Sequence, residues 1–246
     1  MFDTALLLCA AFVAGALNAV AGGGSFLTLP ALVFTGVPPV MANATGTVAL
    51  LPGYLAGAWG FREDTAPPPG LTMRRVVVLS VVGGAAGAML LLVTPEATFR
   101  RVVPWLLLAA TALFAFGPQL RRALAGQAPS TARATAGLLA VAAYGGYFNG
   151  GLGILLLALF GLLGQTQLHA MNGLKNWVSA VLTCIAVALY AAGGVVLWPQ
   201  ALLMMVAATA GGYGGARVAR RIPATWLRWG IVVTGLVMAV LFFLRG

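Results

Sequence analysis

The sequence predicts an all-α membrane protein. It reads as a polytopic helical bundle of about 8–10 membrane segments at roughly 20 residues per crossing. The segments form two homologous, inverted repeats, each with a broken opening helix. Three observations carry that reading. Of 246 residues, 61% are hydrophobic and only 7% are charged, whereas soluble domains average about 25% charged residues. The apolar residues fall in charge-free windows of helix length rather than in the alternation of barrel strands. The second half of the chain repeats the first.

The windows place the elements in order. Thr4 to Phe61 carries no charge but is interrupted by Gly22, Gly23, Gly24 and Ser25, then by Pro30, Pro38 and Pro39. Val76 to Thr94 and Val102 to Leu120 are each long enough for one span. Ala134 to Leu168 is long for one crossing and short for two, with Asn149, Gly150, Gly151 and Gly153 inside it. Asn176 to Ala216 breaks near Gly193 and Gly194 into two spans, and Trp229 to Leu244 closes the set. The N-terminus has Asp3 where a signal peptide wants a basic residue, so it reads as a retained membrane segment.

Internal correspondence divides the chain into a first repeat (residues 1–120), a basic connecting loop (121–133) and a second repeat (134–246). Gly83 corresponds to Gly211, Pro95 to Pro223, Arg100 to Arg228, Asn18 to Asn149 and Asn43 to Asn172. Every pair is separated by about half the chain, and such weak internal symmetry marks many secondary transporters. Orientation follows from arginine placement. If each opening stretch (4–38 and 134–168) crossed once, the arginines would divide almost evenly between the two sides. If each turns back at its glycines, Arg62, Arg74, Arg75, Arg121, Arg122, Arg133, Arg217, Arg220, Arg221 and Arg228 share one side, against Arg100, Arg101 and Arg245. The second topology follows the positive-inside rule. It also inverts the halves, because each then crosses an odd number of times.

The candidate site residues come from the breaks and from two polar stripes. A glycine break inside apolar sequence leaves backbone groups that only protein or a water-filled cavity can satisfy. The half-helix that follows points free N–H groups and a positive dipole end at the break, which suits an anion. Asn18, Gly22, Gly23, Gly24 and Ser25 supply one such site, and Asn149, Gly150, Gly151 and Gly153 the other. The competing reading of these glycines is close helix packing alone. Asn172, Lys175, Asn176, Ser179 and Thr183 share one helical face, matched in the first half by Asn43, Thr47 and Tyr54. A polar face on a membrane helix turns to the bundle interior or a cavity; it lines a substrate path or makes interhelical hydrogen bonds. Lys175 is either an anion anchor or a snorkelling residue near its helix start.

Other functions find little support. There is no catalytic triad, paired carboxylate or metal-spaced His/Cys cluster, so the sequence predicts no enzyme, no metal and no cofactor. The net charge of +10 is spread over loops between apolar segments and implies no nucleic-acid partner. Cys9 and Cys184 sit in apolar segments and imply no disulfide framework. Gly83–Gly87 and Gly211–Gly215 read as small-residue packing seams, and His169 as a surface residue at a loop edge.

Two stretches resemble a known family. NAVAGGGSFLTLPALVFTGVPPVMANATGTVAL is similar to the opening signature of the sulfite exporter TauE/SafE family, and NGGLGILLLALFGLLGQTQLHAMNGLKNWVSAVLTCIAV, continuing to Pro223, resembles its second-half signature. The resemblance implies a multi-pass protein of the bacterial inner membrane that moves small sulfur-containing or carboxylate anions such as sulfite, sulfonates or sulfoacetate. Its partners would be the lipid bilayer and that small anionic substrate. A non-transporting subunit of a membrane complex and a membrane-embedded enzyme are the alternatives. The coupling ion, the direction of transport and homo-oligomer formation are left open.

Overall fold

A computed structural model describes residues 2–124, 130–219 and 224–245. Among the described residues there are ten α-helices and no strand. They are α1 (Phe2–Ala21), α2 (Ser25–Phe34), α3 (Pro39–Gly60), α4 (Met73–Val93), α5 (Glu96–Leu124), α6 (Thr131–Tyr147), α7 (Leu152–Leu162), α8 (Leu168–Ala192), α9 (Trp198–Ala219) and α10 (Ala224–Arg245). Each charge-free window resolves into the number of helices its breaks allow. Thr4 to Phe61 becomes three helices, and the stretch after Ala134 becomes a longer piece and a short one.

Local chemistry sets the ends. Gly22 and Gly151 adopt φ of 75° and 74°, a left-handed conformation that glycine reaches without steric cost. There α1 and the turn before α7 stop. Ser130 caps α6 by accepting from the Arg133 N–H at 3.2 Å. At the start of α3, Pro39 occupies the first turn, where a missing N–H costs nothing. The Val40 N–H is satisfied by the Glu96 carboxylate, at 3.0 and 3.4 Å to its two oxygens. Glu96→Ala should therefore cost about 1 kcal/mol, the usual worth of a lost N-terminal cap. A fall in Tm of the purified protein would register it, and an unchanged Tm would show that the contact is dispensable.

The two opening stretches are hairpins. Asp3, Thr4 and Leu7 at the start of α1 share a cleft with Thr35 and Val37, just past α2, and with Pro199 and Gln200 of α9. The chain thus enters along α1 and returns along α2 to the end where it began. At the opposite end, Thr131 lies against Gly70, Gly164 faces Pro69, and the Gln165 side chain donates to the Ala66 carbonyl at 2.8 Å. The α6–α7 hairpin therefore opens on the α3–α4 loop. With 10 and 11 residues, α2 and α7 are about 15 Å long at 1.5 Å per residue. That is half the thickness of a hydrocarbon core of about 30 Å.

The helix partnerships pair off between the chain halves. α1 packs along α9 and α6 along α4; α3 meets α9 and α8 meets α4; α2 touches α10 and α7 touches α5. The α3–α8 and α5–α10 contacts join corresponding helices. Glycines make the tightest seams. A Cβ on Gly87 would collide with the Ala143 carbonyl, one on Gly146 with the Gly84 carbonyl, and one on Gly211 with the Phe12 carbonyl. The expected seams at Gly83–Gly87 and Gly211 thus lie where backbones touch; the surroundings of Gly215 lie outside the described residues, as do those of Pro223, Arg217, Arg220, Arg221 and Arg228.

Polarity is reversed relative to a soluble protein. Val78, Val82, Met89, Leu90 and Val93 of α4 and Val233, Leu236, Val237, Val240 and Leu244 of α10 point outward. Asn18, Asn43, Asn149, Lys175, Asn176, Ser179 and Thr183 are buried. Six helices have 21 to 29 residues, each long enough to cross a bilayer. The windows in α4 and α8 are also clearly apolar, with mean hydropathy 2.5 and 1.5.

Candidate functional site

The two breaks meet. A Cβ on Gly22 would lie 2.7 Å from the Gly153 Cα, and one on Gly153 would lie 2.8 Å from the Gly22 Cα. No side chain fits between them, so the two hairpin tips touch through bare backbone. The same Cβ on Gly153 would come 3.3 Å from the Lys175 Cδ. The stem of Lys175 therefore runs beside the junction. Its side chain has no exposure, and its Nζ has no hydrogen-bond partner among the described residues. Full burial removes the snorkelling alternative. The four acids lie elsewhere: Asp3, Glu63 and Asp64 are exposed at the ends, and Glu96 is engaged with Val40.

Around the junction sits a ring of amides and hydroxyls. The Tyr54 hydroxyl of α3 donates to Asn149 Oδ1 at 3.3 Å, and the Asn18 side chain adjoins the same hydroxyl. Tyr54 thus ties the asparagines of both breaks together. Asn18 Oδ1 and Asn149 Nδ2 are buried and without partners among the described residues. Gly24, the residue before α2, packs on the Asn18 Cβ and on Leu50. Asn176 lies against Gly57 of α3, where a Cβ would be 2.6 Å from its Nδ2. Gly23 and Ser25 are buried in the same turn. Gly151 abuts Phe26 and Ala110.

Other candidates are occupied structurally. Asn43 donates to the Tyr147 carbonyl at 3.0 Å, and Thr47 bonds the Asn43 carbonyl of its own helix at 2.7 Å. The Gly150 carbonyl accepts from the Tyr144 hydroxyl at 2.6 Å, and the Gly146 carbonyl from the Tyr190 hydroxyl. These bonds satisfy carbonyls that the end of α6 and the following turn leave free. Asn172 is half-buried on the stripe, nearer the α3–α4 loop end than Lys175. Tyr144, Tyr190 and Glu96 were not singled out from the sequence. Their type gives no signal, because the carbonyl or N–H each satisfies lies on another helix or turn. His169 is exposed, with its ring 6.3 Å from that of Phe61.

Among the described residues no group of three or more His, Cys, Asp or Glu could hold a metal. The junction brings together the glycines of both breaks, the two asparagine side chains that Tyr54 links, and the stem of a buried lysine, and no carboxylate is among their contacts.

A polar core inside an apolar shell, entered by two half-helices, is the build of a membrane transporter. The chain belongs to the sulfite exporter TauE/SafE family, whose model matches residues 7–242. It is 31% identical to a probable membrane transporter protein of Haemophilus influenzae, over 95% of this chain and 92% of that protein. It is also 28% identical to a probable membrane transporter protein, ORF9, of a Sinorhizobium species, over 96% of this chain and 90% of the relative. The protein is therefore a membrane transporter and not an enzyme.

Proposed function

We propose that the protein is a secondary transporter that moves a small, sulfur-containing oxyanion of the sulfite, sulfonate or sulfoacetate type across the bacterial inner membrane. The observation that carries the reading is the fully buried Lys175, whose amine has no partner among the described residues and whose stem runs beside the contact of the two glycine breaks. An ammonium near mid-membrane costs about 2.5–3.5 kcal/mol on insertion scales, which a bound anion would offset. The binding residues are Asn18, Gly22, Gly23, Gly24, Ser25, Asn149, Gly150, Gly151, Gly153, Lys175 and Asn176. Asn43, Thr47 and Asn172 support the walls.

The chain is organised as two inverted repeats, residues 1–120 and 134–246, related by an axis through the junction. The pairing of α1 with α9 and α6 with α4 supports this. So does the opening of the two hairpins toward opposite ends. Six full crossings and two hairpins that each return to their own side then put the loops at 62–75, 119–133 and 217–228 in the cytoplasm, in keeping with the arginine distribution.

Flux of radiolabelled sulfite into proteoliposomes of the purified protein tests the activity. Absence of flux, with competing sulfonates and carboxylates also inert, would favour a non-transporting membrane subunit. Single cysteines in the three loops test the topology. Impermeant maleimide should label them only after the membrane is opened, and labelling of 119–133 from outside with 62–75 protected would refute the inverted arrangement.

A further inference from the structure

Two buried hydroxyls on α8, those of Ser179 and Thr183, have no hydrogen-bond partner among the described residues. Lys175, Ser179 and Thr183 are spaced four apart, all are fully buried, and the polar atom of each has no partner among the described residues. A hydroxyl inside a helix has an easy way out, because it can bond the carbonyl four residues back. Thr47, Ser80, Thr94 and Thr209 all do so, at 2.6 to 2.7 Å. Ser179 and Thr183 do not.

Their direction is set by their neighbours. Lys175 faces Gly153 of α7, and Asn176 faces Gly57 of α3. At about 100° per residue, Ser179 and Thr183 fall between those two directions. They lie on the side of α8 between the faces that meet α7 and α3, about 6 and 12 Å along the helix axis from Lys175 toward the end where α9 begins.

We infer that Ser179 and Thr183 are the next donors for the translocating oxyanion after Lys175, forming a three-rung path along α8 toward the end of the bundle where α9 begins. The inference rests on the transport reading above and adds two residues and a direction to it. Each hydroxyl can donate to an acceptor-only oxygen as the anion leaves the amine. In the resting protein each is a buried polar group without a bond among the described residues, a net cost to stability. Function and stability should therefore move oppositely when they are removed.

The test compares parent, Ser179→Ala, Thr183→Val and Ser80→Ala, each purified full length. Radiolabelled sulfite flux and Tm are measured side by side. Both α8 variants should show about tenfold lower flux, the loss expected for one donor to an ion, with Tm equal to or above the parent's. Ser80→Ala breaks an ordinary helix bond on α4 and should leave flux unchanged. If both α8 variants carry sulfite at the parent rate, the inference is wrong. It is equally wrong if their flux falls only in step with a lowered Tm, which is a packing role. A parent that carries neither sulfite nor a competing sulfonate overturns the transport reading, and this path with it.

Discussion

Lys175→Met is expected to weaken anion binding at least about thirtyfold, since losing one member of a desolvated charge pair costs about 2–5 kcal/mol. The folded protein should be as stable as the parent or more so. Methionine keeps the length of the stem that packs on Gly153 and removes a buried nitrogen that has no partner among the described residues. Lys175→Arg should keep part of the affinity, because the charge remains while the planar head changes the geometry of contact. Anion-dependent thermal shift on the three proteins reads both quantities. Equal shifts in methionine and parent proteins would remove the amine from the site and leave the half-helix ends to hold the anion. A methionine variant that fails to fold would instead point to a bond between the amine and the backbone.

Gly22→Val should be severely damaging, because strain and collision act there together. The residue has φ of 75°, where a β-branched side chain costs about 1–2 kcal/mol, and the Gly153 backbone occupies the space of its Cβ. Overpacking adds about 1–3 kcal/mol. Together these are a large part of the 5–15 kcal/mol that typically holds a domain together, so yield and Tm should collapse along with transport. Gly36→Val is the control. Gly36 also has positive φ, at 87°, but nothing lies within 4 Å of where its Cβ would be. It should suffer the backbone strain alone and keep its transport. Similar losses in the two variants would mean that strain, not contact between the breaks, explains Gly22.

These two experiments turn on features of different legibility. The helices, their breaks and the membrane environment were readable in the chain itself. Charge-free windows must become helices in an apolar solvent, since every backbone group then finds its partner locally. The glycine clusters at 22–24 and 150–153 interrupt them, because local backbone preference acts within a few residues. The polar face of α8 was equally readable, since a spacing of three and four residues defines it without reference to any neighbour.

What only the tertiary structure decided are contacts between residues far apart in sequence. That α1 and α2 form a hairpin rests on Asp3 and Thr4 lying beside Thr35; the arginine pattern favoured it but could not bring those residues together. That the two breaks touch rests on Gly22 and Gly153 sharing one space, and a glycine triplet reads the same whether it meets solvent, a side chain or another glycine. Asn43 and Asn149 are both asparagines inside apolar stretches. One is taken up by the Tyr147 carbonyl, while the Nδ2 of the other has no partner among the described residues. Burial of Lys175 was undecidable from its place near a helix start, because a lysine stem can reach headgroups from there. The packing of Gly153 against that stem settled the matter, and periodicity along one helix contains no information about what a helix from the other half places against it.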